Sequence, residues 1–599
     1  MKNFIFILLP VLLQACTTAT APESASDQTL KVEKGLIGEV YFTGDSTRAI
    51  EERMKHFGVP GVSIAVIKDN KIEWSKSYGV MNKDTKEPVT NQTLFQAGSI
   101  SKPVAAYGAL HLVDKGKINL DEDVNTYLKS WKLPDNDFTK EKKVTLKHLL
   151  SHTGGLTVHG FLGYSPDLPV PTLVQVLDGT APANSGPIRV DKVPEESFRY
   201  SGGGYTIMQQ MLIDTEGKPF PQIMKEFVLD PIGMSHSTYD QPLTGNQVSI
   251  AATGYVPDGT MTKGKFHTYP EMAAAGLWTT AEDLALFAID VQKTVAGKST
   301  AVLSKSMVDR MRTPFVTDFE GLGLFLRNKG SYFGHGGWDE GFSSEMIAHR
   351  DHGYGVVVLT NSNHPEFITE VINSVARVYN WSDYLDIFTK VEMDTTKFAA
   401  ITGRYHNDSD GMIRISGKGN RLFMKYLRAE APYELFRVSD STFVNATNPK
   451  QIQFRTNPKD GQLNLVFIEK GKPAEFTHVR ESEDLRVPYE YLLAGDFDKA
   501  IKGYQALLNA NPKDRDVMEE SLNSQGYNLM NKSKYQLAAD ILKINTLLYP
   551  SSANAYDSYA EACMKNGNKE LAIINYKKSL LLNPKNEGAK KNLKELSSK

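Results

Sequence analysis

Ser99 and Lys102, in the stretch FQAGSISKP, stand three residues apart where a helix opens. A serine hydroxyl is a poor nucleophile until a base takes its proton. A lysine can be that base only when burial or nearby positive charge lowers its pKa. Residues i and i+3 share a helix face, so Lys102 can reach Ser99. The helix N-terminus favours negative charge developing at Ser99. Pro103 requires this to be the first turn, since deeper in a helix it would break a backbone hydrogen bond. The same residues also read as a plain helix start, with Ser as N-cap and Pro in the first turn. Val104 to Val113 then form a mostly apolar helix that stops at Asp114-Lys115-Gly116. That reading leaves Lys102 without a purpose.

Further motifs follow in a fixed order. They are VTLKHLLSHTGGL, YSGGGYTIMQQML, PEMAAAGLWTTAEDLALF and GHGGWDEGFSS. Together with FQAGSISKP they resemble the serine β-lactamase and penicillin-binding protein superfamily, in its class C β-lactamase-like branch. The resemblance covers about residues 39 to 380 and implies site roles residue by residue. Ser99 is the acylated nucleophile and Lys102 its proton partner. Tyr200, in Tyr200-Ser201-Gly202, shuttles a proton to the leaving group. His335-Gly336-Gly337 stands where relatives carry Lys-Thr-Gly. His335 then replaces the cation that tunes Tyr200 and attracts a substrate carboxylate. The Trp338 amide joins that of Ser99 in an oxyanion hole. Gly202 stands where many relatives have Asn, and Gly336 where β-lactamases often have Thr or Ser, so two side-chain contacts to substrate are missing. Gly337 completes the substrate-binding strand.

Two other patterns carry no chemistry. His148 and His152 are four apart, with His159 nearby, but no Glu follows His148 as a zinc-protease motif requires. His152 reads as a residue that caps or packs at its helix end. Gly297-Lys298-Ser299 suggests a phosphate loop, but position 292 is Gln rather than Gly.

The elements that must hold the site are legible as patterns. Val59 to Val80 reads as two strands around an Asp69-Asn70 turn, and Phe342 to Asn363 as two more around Asp351-His352-Gly353. Helical periodicity lies between the pairs and at Ile368 to Tyr379. Residues 38–386 are therefore predicted to be an α/β (α+β), β-lactamase/transpeptidase-like domain, an antiparallel sheet flanked by helices. Residues 395–480 alternate with period two in runs such as MIRIS, RLFMKY, YELFRV and LNLVFIE. They predict a small all-β barrel or sandwich. Residues 485–599 carry a 34-residue period marked by Pro550 and Pro584, with small residues at Gly526, Ala538, Ala560 and Ala572. This is similar to the tetratricopeptide pattern, in three copies with a capping helix.

The chain has 599 residues, 68 Lys+Arg against 70 Asp+Glu, and a formal charge of -2. Such a balance offers no basic surface for nucleic acid. The apolar run FIFILLPVLL behind Lys2 is too short to span a bilayer and reads as a signal-peptide core. Ala15-Cys16 after it resembles the bacterial lipoprotein box, which implies cleavage after residue 15 and a lipid on Cys16. Residues 16–37 then read as a flexible tether. Cys563 is the one other cysteine, so no internal disulfide framework is expected. The expectation is a lipid-anchored protein of the bacterial cell envelope, the leaflet left open. It is a serine hydrolase of amide or ester bonds without a cofactor. Its substrate would be a D-amino-acid or peptidoglycan-derived peptide or a small ester, with weak action on β-lactams. Two alternatives stand beside it. One is an adaptor that binds a protein partner through its repeats, or a muropeptide without turnover. The other is a class C-type β-lactamase.

Overall fold

The computed structural model describes residues 25–407, 409–468, 474 and 476–597. Cys16 and the signal segment lie outside the described residues. The chain divides into two compact units. One holds residues 45–386 with the segment up to Glu39; the other holds Val40–Gly44 and Ile387 onward.

The first unit is built on a six-stranded sheet, antiparallel throughout. Its strands are β1 (Gly61–Lys68), β2 (Lys71–Gly79), β3 (Phe325–Arg327), β4 (Tyr332–Asp339), β5 (Phe342–His349) and β6 (Gly355–Thr360), in the spatial order β2-β1-β6-β5-β4-β3. Asp69 and Asn70, at φ 53 and 57, make the tight turn between β1 and β2, as a two-residue hairpin with right-handed twist requires. Strands β1, β5 and β6 are buried at nearly every position because both sheet faces are covered. In β1, Ala65 and Ile67 join the core on one face while Val62, Ile64 and Val66 join the core on the other. The first face carries α2 (Ser101–Asp114), α3 (Gly202–Glu216) and α4 (Ala281–Val295). Eleven of the fourteen residues of α2 are buried, which is why it reads as apolar all round rather than amphipathic.

The second face carries α1 (Ala25–Glu33) and α5 (Pro365–Val378). This corrects the expected tether at its C-terminal end. Val32 and Leu36 are buried, and the Ser374 hydroxyl donates to the Val32 carbonyl at 2.7 Å. Val32 near the helix end and Leu36 just beyond it hold this short helix on the sheet. The boundary expected at residue 38 also shifts, because Val40–Gly44 belongs to the second unit, where Tyr41 and Phe42 pair in parallel with Ile387 and Phe388.

The second unit contains a closed antiparallel barrel of eight strands from Gly403–His406 to His478–Glu481, a barrel and not a sandwich. Closure comes from pairing the first strand with the last, Tyr405 opposite Arg480. Tyr405, Ile413, Ile415, Leu422, Met424 and Leu465 fill the interior. Helical hairpins follow from Pro488–Leu493 to the last helix, Glu587–Ser597. The small residues of the 34-residue period are contact points between helices: Ala538, Ala560 and Ala572 are fully buried, and a Cβ on Gly526 would lie 2.4 Å from Leu542. Asp410, with no exposure, joins barrel to helices by accepting from the Tyr489 amide and the Tyr504 hydroxyl at 2.7 and 2.6 Å.

Candidate active site

Ser99 lies in a single 3-10 turn, Gly98–Ile100, that feeds α2. Its hydroxyl does not cap the helix. Ser101 does the local work instead, donating to the Gly98 carbonyl at 2.6 Å and accepting from the Leu277 amide at 2.9 Å. Ser99 Oγ is therefore left to Lys102, whose Nζ stands 2.9 Å away and also donates to the Ala274 carbonyl at 2.8 Å. Tyr200 reaches the same hydroxyl through its phenol. The aromatic ring of Tyr200 has its centroid 4.9 Å from Nζ. Ser99, Lys102 and Tyr200 thus meet at one point from two elements more than ninety residues apart in sequence.

Lys102, Tyr200, Glu320, Asp339 and His335 are each pushed towards the uncharged form. Burial lowers Lys102 to about 7, although Asp339 and Glu320 favour its charge. Burial raises Tyr200, with the Ser99 hydrogen bond opposing, so the phenol keeps its proton at neutral pH. Glu320 is fully enclosed, neither carboxyl oxygen has a hydrogen-bond partner, and burial raises it to about 9. Asp339 is likewise raised by burial, against the pull of Lys102. Burial away from solvent disfavours ions of either sign. Among these groups only Lys102 changes protonation near neutrality, as a general base must.

His335 is 3% exposed, and burial followed by repulsion from Lys102 brings it to about 3. It is neutral, so it offers no charge to Tyr200 or to a substrate carboxylate. Its ring packs 4.7 Å from Phe325 and 6.2 Å from Tyr200. The glycines beside it have different tasks. Strand pleating sends alternate side chains to opposite faces. A Cβ on Gly336 would meet Glu345 Oε2 at 2.6 Å, and His335 faces the Lys102 side, so position 336 points away from Ser99. The inference that Gly336 deprives substrate of a hydroxyl is thereby corrected. Gly337 is required by close approach: a Cβ there would stand 1.9 Å from the Ala97 carbonyl. Gly98, at φ 52, is required likewise, since its Cβ would lie 2.5 Å from the Trp338 amide nitrogen. These two glycines let the end of β4 lie directly against the turn that holds Ser99. The Trp338 side chain is 52% exposed.

Gly202 and Gly203 accept a crossing loop. The Gly202 amide donates to the His159 carbonyl at 2.9 Å and the Gly203 amide to the Val158 carbonyl at 3.1 Å. A Cβ on Gly202 would be 3.0 Å from the Phe161 ring. Phe161 therefore covers the place where relatives project an amide side chain. The sequence reading missed Phe161, Glu320, Asp339 and the part played by His152. The one available signal was a Gly triplet beside a functional tyrosine, which implies a close backbone crossing. His148 and His152 do not converge on one ligand. His148 Nε2 pairs with Glu195 at 2.8 Å, while His152 Nδ1 accepts from the Ser201 amide at 3.0 Å.

Over residues 47–378 the sequence matches the family described as Beta-lactamase. Protein flp of Staphylococcus aureus (strain N315) is 24% identical over 374 residues, which span 60% of this chain and 72% of flp. A protein of Bacillus subtilis (strain 168) named PbpX is 26% identical over 329 residues, 53% of this chain and 75% of that one. Among solved structures, the octameric penicillin-binding protein homologue from Pyrococcus abyssi is similar with a TM-score of 0.48 and 22% identity, over 72% of this chain and 98% of that one.

Proposed function

The chain belongs to the β-lactamase family of serine hydrolases, and from that premise we propose that it hydrolyses amide or ester bonds through an acyl-enzyme on Ser99. The observation that carries this reading is Lys102 Nζ at 2.9 Å from Ser99 Oγ in a cavity that brings the lysine to about 7. Neutral Lys102 takes the Ser99 proton as Oγ attacks the carbonyl. The amides of Ser99 and Trp338 hold the oxyanion. Tyr200, a neutral phenol, passes the proton to the leaving group, and water then releases the acid. A fluorophosphonate probe tests the reading. It should label one peptide, that of Ser99, and labelling that persists in Ser99→Ala would overturn it.

The proposed substrates are small esters and D-amino-acid or peptidoglycan-derived peptides, with β-lactams poor. Neutral His335 supplies no charge for a lactam carboxylate, and Phe161 takes the space of a substrate-binding amide. A missing hydrogen bond to a charged group costs about 1.5–3 kcal/mol. A chromogenic cephalosporin should therefore show a lower kcat/KM than a p-nitrophenyl ester on the same preparation. The reverse order would favour a class C-type β-lactamase.

A second reading concerns the helical hairpins, proposed here as tetratricopeptide repeats that bind a protein partner. Supporting it is a groove of about 810 Å³ lined by Arg428, Asp516, Ser521, Asn528 and Lys532. Lipidation at Cys16 and anchoring to an envelope membrane remain part of the proposal. Cys16→Ser should release the chain to the soluble fraction or leave it unprocessed.

A further inference from the structure

Two hydrogen bonds and a ring contact reach Tyr200 and its chain neighbours from one residue. The His152 carbonyl accepts from the Arg199 amide at 2.8 Å, and its ring Nδ1 accepts from the Ser201 amide at 3.0 Å. The two bonds bracket Tyr200 on either side. The His152 ring also lies 4.2 Å from the Tyr200 ring, tilted by 33°. A backbone φ of 56 turns carbonyl and ring towards the same strip of chain, a conformation uncommon for a side chain with a Cβ. With Nδ1 accepting, the ring proton sits on Nε2, 3.9 Å from Glu320 Oε1. Burial, with Lys102 adding to it, keeps the ring neutral, as an acceptor must be. Tyr205 and Phe198 close around the ring at 5.3 and 5.9 Å.

We propose that His152 is the positioning residue of Tyr200, holding the phenol on Ser99 through hydrogen bonds to the residues before and after it. The proposal rests on the reading of Tyr200 as proton relay. His152 touches neither Ser99 nor, on that reading, the substrate. It acts by fixing where the Tyr200 oxygen stands. A displacement of the order of 1 Å at such a group costs roughly 10²-fold in rate.

The test compares four variants of the full chain on a p-nitrophenyl ester: His152→Leu, His152→Asn, Tyr200→Phe and His152→Leu with Tyr200→Phe. Asn keeps an acceptor near the Nδ1 position and tolerates left-handed backbone. The expected result is a fall in kcat of about 10²-fold for His152→Leu with KM within about threefold. His152→Asn should recover at least about tenfold of that loss, and His152→Leu should cost less than about threefold once Tyr200 is Phe. Should His152→Leu not fold, His152→Gly, which removes the ring and accepts a φ of 56, gives the same comparison: a fall in kcat of about 10²-fold that shrinks below about threefold once Tyr200 is Phe supports the proposal. A kcat within about threefold of wild type, or a fall of equal size in the Tyr200→Phe background, overturns it. Full multiplicativity of His152→Leu and Tyr200→Phe overturns the positioning role alone. An unchanged kcat in Tyr200→Phe overturns the relay reading and the proposal together, while fluorophosphonate labelling of Ser99 shows whether the nucleophile itself survives.

Discussion

On the proposed mechanism, Lys102 sets the protonation at which Ser99 reacts. Since burial brings it to about 7, kcat/KM for an uncharged ester should rise with pH to a plateau with its midpoint near that value. A flat profile from pH 6 to 8 would assign the base elsewhere. Lys102→Ala should lower acylation by about 10²–10⁴-fold, measured as the rate of probe labelling. Glu320 gives a stability prediction of the opposite slope. The folded chain keeps its proton to about 9, whereas an unfolded chain loses it near about 4.3. Between those limits the folded state binds more protons, so stability falls as pH rises, by at most ~1.4 kcal/mol per unit. Glu320→Gln should match wild type in denaturant midpoint at pH 5 and exceed it at pH 9. Equal midpoints at pH 9 would show that Glu320 is not held neutral. At this scale Ser99, Lys102 and Tyr200 were legible because their spacings lie within short motifs. Glu320 was not, because it is a single acid in an unmarked loop, and Asp339 was not, because nothing within GHGGWDEGFSS separates it from Glu340. Only the fold brings them to Lys102. An imidazole at position 335 is largely uncharged at pH 7 on its type alone, and burial lowers it further, to about 3.

The contact between β4 and the turn holding Ser99 is as close as two backbones allow, and it depends on glycine. Gly337→Ala would put a Cβ 1.9 Å from the Ala97 carbonyl, so the strand end must retreat from Ser99. Loss of one oxyanion donor costs about 10²–10³-fold in kcat, and that is the expected fall, with a modest loss of stability. Full activity in Gly337→Ala would remove Trp338 from the oxyanion hole. Gly202→Asn should not restore cephalosporin turnover, because Phe161 stands 3.0 Å from the new Cβ. A gain of tenfold or more in kcat/KM for the cephalosporin would show that Phe161 yields. The paired strands β1–β2 and β5–β6 were legible through their runs of strand-forming residues and the turn residues between them. The first barrel strand, Gly403–His406, was not, because four residues give no period to read. Ala25–Glu33 was missed because its mean composition is polar, and only Val32 and the following Leu36 betray a buried side.

The second unit joins two architectures through buried charge. Arg404 of the barrel donates to both Glu490 oxygens at 2.8 and 2.6 Å, and Asp410 depends on Tyr489 and Tyr504. A chain ending at Arg480 should therefore keep ester hydrolysis within about tenfold, because the residues around Ser99 lie in the first unit. Its barrel should lose stability, since Arg404 gives up both Glu490 oxygens and Asp410 its Tyr489 and Tyr504 donors. Calorimetry of the two chains should show the loss as a barrel transition at lower temperature. An unshifted transition would mean that the barrel stands without the helices. The segment Val40–Gly44 carries a different consequence. Tyr41 leaves the ribosome early, yet its partner Ile387 is made roughly 350 residues later, about 20–70 s at ordinary rates of synthesis. For that interval five residues of nascent chain are spoken for by a neighbour not yet translated. The pairing can close only after residues 45–386 have been synthesised.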